Sequence, residues 1–339
     1  MKYNLLGNTG LKVSELCLGT MTFGGRGRFQ PIGQLGQEEV DKLMKRSVEA
    51  GINFIDTANV YSEGWSEELT GKSIRNLGLK RDDLVVATKV RGKMGEGPNG
   101  SGLSRKHILQ QVEESLKRLG TDYIDLYQIH GFDALTPIEE TVQVLHDLVE
   151  NGKVRYIGAS NLAAWQLMKA LSYSTYRHVS KFISLQAYYT IANRELEREI
   201  VPLLLDQKTG LMVWSPLAGG LLTGKYNRNK QGDEGSRRVN FDFPIVNKDK
   251  AFDIVDVLTV MAKEKGATVA QLALAWLLHQ PVVTTVIIGA KRMDQLDDNL
   301  NAVNVKLTAE DLQKLDRVSQ LAPEYPGWML EFQGGDRKV

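Results

Sequence analysis

Four side chains suited to proton transfer fall in or just after three apolar segments of the chain. Asp56 closes the segment NFID, Lys89 closes LVVATK, His130 closes YIDLYQIH, and Tyr61 follows Asp56 by five positions. A tyrosine hydroxyl has an ordinary pKa of about 10, which a neighbouring cation lowers. Lys89 can supply that charge, Asp56 can hold Lys89, and His130 can orient a carbonyl oxygen by hydrogen bonding. The set predicts acid–base chemistry on a carbonyl group and needs no metal.

These groups converge only if the segments that carry them are neighbouring parallel strands. Near-continuous Val/Ile/Leu runs, typical of strands buried on both faces, recur along the chain. We expect eight of them, at residues 15–19, 53–56, 84–89, 123–130, 154–159, 183–186, 211–214 and 284–288.

Segments of helical period separate these strands. They lie at residues 37–50, 66–77, 104–119, 137–150, 163–171, 195–206, 269–278 and 293–302, with two additional helices at 248–265 and 309–321. Eight strands that alternate with eight helices predict an α/β fold, the (β/α)8 barrel, preceded by an N-terminal hairpin in YNLLGNTGLKVSEL. No linker divides the chain, so we expect residues 1–339 to form one domain. In such a barrel all carboxyl ends of strands lie on one face, where the four side chains can meet.

Composition and charge restrict the partners. Lys plus Arg number 42 against 41 Asp plus Glu, a net charge of +1, which argues against nucleic acid or an anionic membrane. A single cysteine, Cys17, excludes a disulfide framework and a cysteine-based zinc site. The chain shows neither a signal-peptide pattern nor a run of 18 apolar residues, so we expect a soluble, cytoplasmic protein.

Two loops, at residues 91–102 and 217–247, follow strand ends and are long enough to suggest function. The stretch VWSPLAGGLLTGKY nearly matches a P-loop, but Tyr226 stands where Ser or Thr is needed, and the continuation is not helical, so we exclude ATP hydrolysis. Its glycines could let backbone N–H groups approach a pyrophosphate, with Lys225 and Arg237 adding charge. The alternative is a solvated loop.

The eighth unit, VIIGAKRMDQLDDNL, offers a second anion site. Gly289, Lys291 and Arg292 fall at the start of a helix, and barrels often hold phosphates near their last two loops. Trp214 ends the seventh strand, where it could stack on a flat ring or simply belong to the rim of the core.

Six segments, in order, resemble motifs of the aldo-keto reductase superfamily: INFIDTANVYSEGWSEELTGKSI, VVATKV, YIDLYQIHGFD, VRYIGASN, VWSPLAGGLLTGKY and IIGAKRMDQLDDN. The resemblance runs over nearly the whole chain. It implies a (β/α)8 barrel of metal-free, NADP(H)-dependent oxidoreductases, here similar to the branch that contains bacterial aldehyde reductases and potassium-channel β subunits.

Carried over position by position, the resemblance implies that Tyr61 is the general acid and that Asp56, Lys89 and His130 complete the catalytic set. It implies that Ser160, Asn161 and Gln186 hold the nicotinamide carboxamide and that Trp214 stacks on its ring. The other expected cofactor contacts are Gly19, Thr20, Met21, Asp56, Ser215, Pro216, Leu217, Gly219, Lys225 and Arg237 on the nicotinamide and pyrophosphate side, and Gly289, Lys291, Gln295, Asp298 and Asn299 at the adenosine end.

One position departs from the better-known monomeric branch. Gln295 stands where that branch has an Arg, which would pair well with a 2′-phosphate. Lys291 and Arg292 can compensate, so NADP(H) is the expected cofactor and NAD(H) the alternative.

The resemblance leaves two functions open: a reductase of aldehydes or ketones, and a nucleotide-binding regulatory subunit like the channel β subunits. His130 favours the enzyme, because those subunits lack a histidine at this position. A metal-dependent or Schiff-base barrel enzyme leaves Tyr61 unexplained. We expect a pocket lined by Met21, Phe23, the two long loops and EYPGWMLEF. The aromatic side chains of that set (Phe23, Tyr325, Trp328 and Phe332) suit apolar aldehydes or, alternatively, pin the tail to the barrel.

Overall fold

Eight parallel strands close into a barrel in the computed structural model, which describes residues 1–228, 238 and 241–335. Two short strands, β1 (Tyr3–Leu5) and β2 (Lys12–Ser14), precede it. The barrel strands are β3 (Leu16–Gly19), β4 (Phe54–Asp56), β5 (Val85–Val90), β6 (Ile124–Ile129), β7 (Val154–Ser160), β8 (Phe182–Tyr188), β9 (Gly210–Trp214) and β10 (Val283–Ile288). Each pairs with the next in the chain, and β10 closes on β3. The predicted (β/α)8 barrel is confirmed.

Helices surround the barrel. They are α1 (Gln37–Glu49), α2 (Trp65–Asn76), α3 (Arg105–Leu119), α4 (Ile138–Glu150), α5 (Ala164–Arg177), α6 (Ile200–Gln207), α7 (Lys248–Lys265), α8 (Val269–Leu278), α9 (Met293–Leu300), α10 (Ala309–Ser319) and α11 (Gly327–Gly334). Within the described residues, no helix is both long and apolar enough to cross a membrane.

Local sequence explains where such a helix starts and stops, as α3 illustrates. The Ser104 side chain accepts a hydrogen bond from the His107 N–H, which caps the first turn. Gly120 ends the helix with a left-handed φ of 66°, a conformation that glycine adopts without a steric penalty. Between them, Ile108 and Val112 lie one turn apart and are fully buried against the barrel.

Two predicted helices differ from the structure. The helix predicted at 163–171 continues to Arg177, since Leu171 and Ser174 are buried on the same face. The helix predicted at 195–206 is divided into a short 3₁₀ turn, Glu195–Glu197, and α6. Pro202 accounts for the division, because a proline ring in a helix interior collides with the carbonyl four residues earlier, whereas the first turn of α6 tolerates it.

The β1–β2 hairpin closes the amino-terminal end of the barrel. Leu6 and Val13 are fully buried and pack with Cys17, Phe54 and other side chains of the barrel interior. Gly7 lies so close to the start of β8 that an added Cβ would fall 2.2 Å from the carbonyl oxygen of Ile183. The site must therefore open at the opposite, carboxyl end.

Phe23 and the C-terminal aromatic residues differ in burial. Phe23 is 1% exposed and belongs to the main core between strands and helices, so it does not line a pocket. Tyr325, Trp328 and Phe332, on or beside α11, are 72%, 46% and 78% exposed. They are not buried in the core, and Tyr325 and Trp328 contact each other edge to face.

Candidate active site

Asp56, Tyr61 and Lys89 meet at the carboxyl end of the barrel. The Lys89 ammonium lies 2.5 Å from Asp56 Oδ2, 2.8 Å from the Thr57 carbonyl and 3.3 Å from the Tyr61 hydroxyl. Lys89 is fully buried and Tyr61 is 9% exposed. The His130 ring lies edge to face with Tyr61 at 5.7 Å between centroids. The four side chains singled out in the sequence are therefore brought together.

A tight left-handed turn presents Tyr61 to Lys89. Ser62 and Glu63 have φ values of 48° and 58°, and Gly64, at 92°, leads into α2. The Ser62 hydroxyl donates to the Phe23 carbonyl at 3.0 Å, which ties this turn to the loop after β3. Consecutive non-glycine residues in this region are strained, and such strain typically occurs at functional sites.

Two glutamines complete the surroundings of Asp56. Gln128 and Gln186 each donate from Nε2 to Asp56 Oδ1, at 3.0 and 2.9 Å, so both carboxylate oxygens have partners. Sequence reasoning missed Gln128 as a site residue, although a signal was present. Side chains alternate along a strand, so a polar residue two positions before His130 points to the same side of the strand.

Burial and neighbouring charges fix the protonation of Lys89 and His130. Burial opposes the charge on Lys89, but Asp56 and Tyr61 together outweigh it, so the pKa of Lys89 lies above its ordinary value. Burial, and then the positive charges of Lys89, Arg28 and Arg91, hold the pKa of His130 well below its ordinary value. The site thus combines a charged lysine with a neutral imidazole, which can donate one hydrogen bond without carrying a charge.

Polar groups predicted to hold the carboxamide lie beside this centre. Asn161, at φ 55°, donates from Nδ2 to the His130 carbonyl at 3.3 Å and to Ser160 Oγ at 3.0 Å. Trp214 Nε1 donates to Asn161 Oδ1 at 2.9 Å. The indole of Trp214 already stacks on Tyr188 at 4.9 Å and on Phe243 at 5.9 Å. A cofactor ring would compete with them for the indole surface.

The stretch after β9 forms a coil of successive turns. Ser215, Ala218 and Gly219 have positive φ values, and the N–H groups of Ala218, Gly219 and Gly220 all bond to Ser215 or Leu217 within the coil. These three N–H groups therefore bond within the coil, and contact of this stretch with a pyrophosphate stays a prediction. Pro216 lies within the coil and has no N–H to offer.

Among the described residues, Lys225 and Arg238 carry positive charge near this coil. Lys225 is exposed, whereas the predicted Arg237 lies outside the described residues. The adjacent Arg238 is 8% exposed and donates to the carbonyls of Ala218 and Pro244 at 2.8 and 2.6 Å. Arg238 therefore links two parts of the 217–247 loop. It was not predicted as a site residue.

The residues predicted to hold the adenosine end lie in α9 and in the turn that precedes it. The Lys291 N–H donates to Gln295 Oε1 at 3.0 Å, and Asn299 Nδ2 donates to the Gly289 carbonyl at 3.4 Å. Asp298 instead accepts from Thr268 and Gln271, on the first turn of α8. Arg292 pairs with Asp294, at 2.8 Å, and Lys291 Nζ donates to the Pro31 carbonyl at 3.4 Å.

The end of β3 supplies the residues predicted beside the nicotinamide. Gly19 is paired with Asp56 across the β3–β4 ladder. Thr20 is fully buried, and its N–H donates to the Asp56 carbonyl at 3.0 Å. These two positions support the backbone of Asp56, and a Cβ on Gly19 would lie 2.6 Å from Ile287.

An apolar cluster adjoins Tyr61. Phe29, Ile32, Ala58 and Val60 are buried in it, and it is flanked by Met21, Met94 and Phe241. The Phe29 ring contacts the Tyr61 ring edge to face at 5.4 Å. The cluster brings together the loop after β3 and both long loops. Met21 of the predicted lining flanks it, whereas Phe23 belongs to the main core.

An acid–base group at the carboxyl end of a closed parallel barrel places the protein among the (β/α)8-barrel enzymes. In residues 1–228, 238 and 241–335, no group of three His, Cys, Asp or Glu side chains is arranged to hold a metal.

Comparison with known proteins identifies the family. The model of the Aldo/keto reductase family matches residues 15–320. A "probable voltage-gated potassium channel subunit beta" of Arabidopsis thaliana is 38% identical over 96% of this chain and 99% of its own length. A "putative aryl-alcohol dehydrogenase" of Schizosaccharomyces pombe is 39% identical (93% and 94% covered), and the versiconal hemiacetal acetate reductase of Aspergillus parasiticus is 38% identical (96% and 99% covered). The chain belongs to the aldo/keto reductase family, whose members generally use a nicotinamide cofactor.

Proposed function

We propose that this protein reduces aldehydes, with ketones as a second substrate class, to alcohols with NADP(H), and that Tyr61 is the proton donor. The observation that carries the proposal is the 3.3 Å contact between the Lys89 ammonium and the Tyr61 hydroxyl. A buried cation so close to a phenol stabilises the phenolate that remains when the proton leaves.

Each group then has a distinct part in the reaction. Tyr61 gives its proton to the carbonyl oxygen, and Lys89, held by Asp56 at 2.5 Å, stabilises the resulting phenolate. The neutral imidazole of His130 donates a hydrogen bond to the same oxygen and so orients the carbonyl. The nicotinamide supplies the hydride.

The donors and acceptors near His130 fit a carboxamide. The Ser160 hydroxyl accepts from Asn161 and keeps its own proton to donate. Gln186 uses its amide nitrogen on Asp56 and Gln128, which leaves its carbonyl oxygen as an acceptor. A carboxamide offers one acceptor and two donor hydrogens, which complement this pair. Asn161 also links the two parts of the site, because it contacts both Trp214 and the His130 carbonyl.

Preference for NADP(H) over NAD(H) is supported by Lys291 and Arg292, two cations that immediately precede α9, where a phosphate is stabilised by the helix N-terminus. Gln295 adds no charge, so among the residues predicted at the adenosine end Lys291 and Arg292 would supply the attraction to a 2′-phosphate.

The variant Tyr61→Phe tests the proposal. We expect reduction of benzaldehyde to fall by a factor of roughly 10² to 10⁴, the range that general acid catalysis contributes. NADPH binding, followed by tryptophan fluorescence, should be retained. Tyr127→Phe is the matched control, because Tyr127 is fully buried on β6 and its hydroxyl makes no hydrogen bond within the described residues. Turnover that survives in Tyr61→Phe would exclude Tyr61 as the proton donor.

The second candidate is a nucleotide-binding regulatory subunit, which the similarity to a named potassium channel β subunit favours. It predicts tight NADPH binding in the wild-type protein without turnover of any aldehyde in a broad panel. Turnover that depends on Tyr61 would exclude it as the sole function.

A further inference from the structure

We propose that the site prefers carbonyl substrates that carry a carboxylate, and that Arg28 and Arg91 bind this second group at the mouth of the barrel. The inference rests on the proposed reductase function and adds a substrate class to it.

Arg91 is held beside the backbone of the His130 strand. Its Nε donates to the Phe132 carbonyl at 2.8 Å, and its side chain passes Gly131, where an added Cβ would lie 3.5 Å from Arg91 Cδ. The two terminal nitrogens of this guanidinium make no hydrogen bond to any described residue, and the side chain is exposed. The Nε of Arg91 is thus held by the backbone, whereas its two terminal nitrogens can donate hydrogen bonds to a ligand.

The backbone of Arg91 supports a specific role for this residue. Its φ is 152°, a conformation that favours glycine, and its carbonyl accepts from the Gly102 N–H at 2.9 Å, which closes the 91–102 loop. A strained non-glycine residue persists where its surroundings impose it, and such residues cluster at functional sites. A glycine would suit this backbone better, so the arginine side chain is retained at a conformational cost.

Arg28 approaches the same centre from the loop after β3, two strands away from the strand that precedes Arg91. It lies in the 3₁₀ turn Gly27–Phe29, with Cζ 5.1 Å from the centroid of Phe29, whose ring contacts Tyr61. The positive charges of both arginines contribute, after burial and Lys89, to the lowered pKa of His130, so both fields reach the reaction centre.

Neither guanidinium is neutralised by an ion pair in the described part of the chain. Arg81, Arg118 and Arg194 each have a carboxylate within 2.7 Å, whereas no carboxylate of a described residue lies within 4.0 Å of Arg28 or Arg91. Two acidic residues do share this rim. Asp133 already accepts from the N–H groups of Leu103 and Leu135 and from the Thr136 hydroxyl.

Glu63 is the other acidic residue, and it lies against Gly27, next to Arg28. A bound carboxylate would compete with Glu63 for Arg28. Arg91 therefore has fewer competing groups than Arg28. Two guanidiniums that flank the site match the planar, two-oxygen geometry of a carboxylate.

The surface between these charges and Tyr61 is apolar. Phe29 and Val60 are buried there, and Met21 and Met94 flank them. The favoured substrate therefore has an aldehyde at one end, an apolar or aromatic body, and a carboxylate at the other.

The test compares meta-formylbenzoate with its methyl ester, which has the same aldehyde and ring but no charge. In the wild-type enzyme with NADPH we expect a higher kcat/KM for the acid than for the ester, caused by a lower KM for the acid. This difference should become smaller as salt is added. Arg28→Gln and Arg91→Gln should each lower the acid-to-ester ratio of kcat/KM by roughly 10- to 100-fold, the range for a hydrogen bond to a charged group.

Arg26→Gln is the matched control, since it removes the same charge from the same loop. The Arg26 guanidinium stacks on Trp65 at 3.3 Å to the ring centroid, so its loss should leave the ratio unchanged. Arg91→Gly serves as a second variant at the strained position, because glycine adopts this backbone freely. It should lower the ratio as Arg91→Gln does.

An acid-to-ester ratio near one in the wild-type enzyme, or a ratio unaffected by either arginine substitution, would overturn this inference while leaving the reductase intact. Tight NADPH binding without reduction of acid or ester would instead overturn the proposed function on which it rests.

Discussion

The Asp56→Asn variant measures how strongly the fold depends on its buried ion pair. Lys89 is fully buried and Asp56 is 2% exposed. The substitution preserves the shape of the side chain but leaves the lysine without a counter-charge. A charge left unpaired in this way costs about 3–5 kcal/mol. Release of the lysine proton at about pH 7.5 costs about 4 kcal/mol, given an ordinary pKa of about 10.4. We therefore expect the free energy of unfolding to fall by about 4 kcal/mol.

The pH dependence of this loss tests the reasoning. In the wild-type protein the pKa of Lys89 lies above its ordinary value, so folded and unfolded chains both keep the proton up to about pH 9. In the variant the folded state loses the proton first and the unfolded state binds more protons. The stability deficit should therefore shrink as pH rises, by up to about 1.4 kcal/mol per pH unit.

Urea unfolding at about pH 7.5 and 9, followed by tryptophan fluorescence, measures both quantities. Asp125→Asn is the control, because Asp125 pairs with Arg81 at 2.6 Å and an arginine does not release its proton. Its deficit should be the same at both pH values. If the deficit of Asp56→Asn were equally constant, Lys89 would not be the group that gives up its proton, and the argument from burial would be wrong.

Two further predictions concern the imidazole and the far end of the site. Because the pKa of His130 is well below its ordinary value, we expect His130→Ala to lower kcat by roughly 10²- to 10³-fold without changing the shape of the pH–rate profile between about pH 6 and 8. The free energy of unfolding should also depend on this imidazole. As pH falls below about 6.5, the unfolded state binds a proton at His130 before the folded state does, so the wild-type protein should lose stability that His130→Ala does not lose. Parallel curves of stability against pH for the two proteins would contradict this. Replacing both Lys291 and Arg292 by Ala should weaken NADPH roughly 10- to 100-fold more than NADH in fluorescence titrations, since only NADPH carries the 2′-phosphate. Equal weakening of the two would place that phosphate elsewhere.

The barrel could be predicted from sequence because its strands are buried on both faces and read as apolar runs. The helix at 163–171 was predicted too short because its last residues carry no clear apolar pattern. The continuation Ser172–Arg177 consists mainly of Ser, Thr and Tyr, which have modest helix propensity, and it stays helical because Ser174 is buried against neighbouring elements. Tertiary packing of this kind leaves little trace in a local pattern.

The four acid–base residues could be predicted because parallel strands deliver their last residues to one face. Arg28 and the cluster around Phe29 could not, because the loop after β3 has neither helical nor strand periodicity and its position depends on contacts such as that between Ser62 and the Phe23 carbonyl. At Trp328 the sequence leaves two places open, the lining of a pocket and a contact between the tail and the barrel. Residue type alone does not say which surface a tail covers.

Because the hairpin covers the amino-terminal end of the barrel, solvent reaches Cys17 there only when the hairpin moves away. The single cysteine can therefore report on that motion. Cys17 lies fully buried at the level of Leu6 and Val13, below Asp56, and burial raises the pKa of its thiol well above the ordinary value. A thiol that is both enclosed and protonated reacts slowly with alkylating reagents. The rate at which Cys17 is alkylated therefore measures how often the β1–β2 hairpin separates from the barrel. This motion is distinct from the entry and exit of substrate at the carboxyl end.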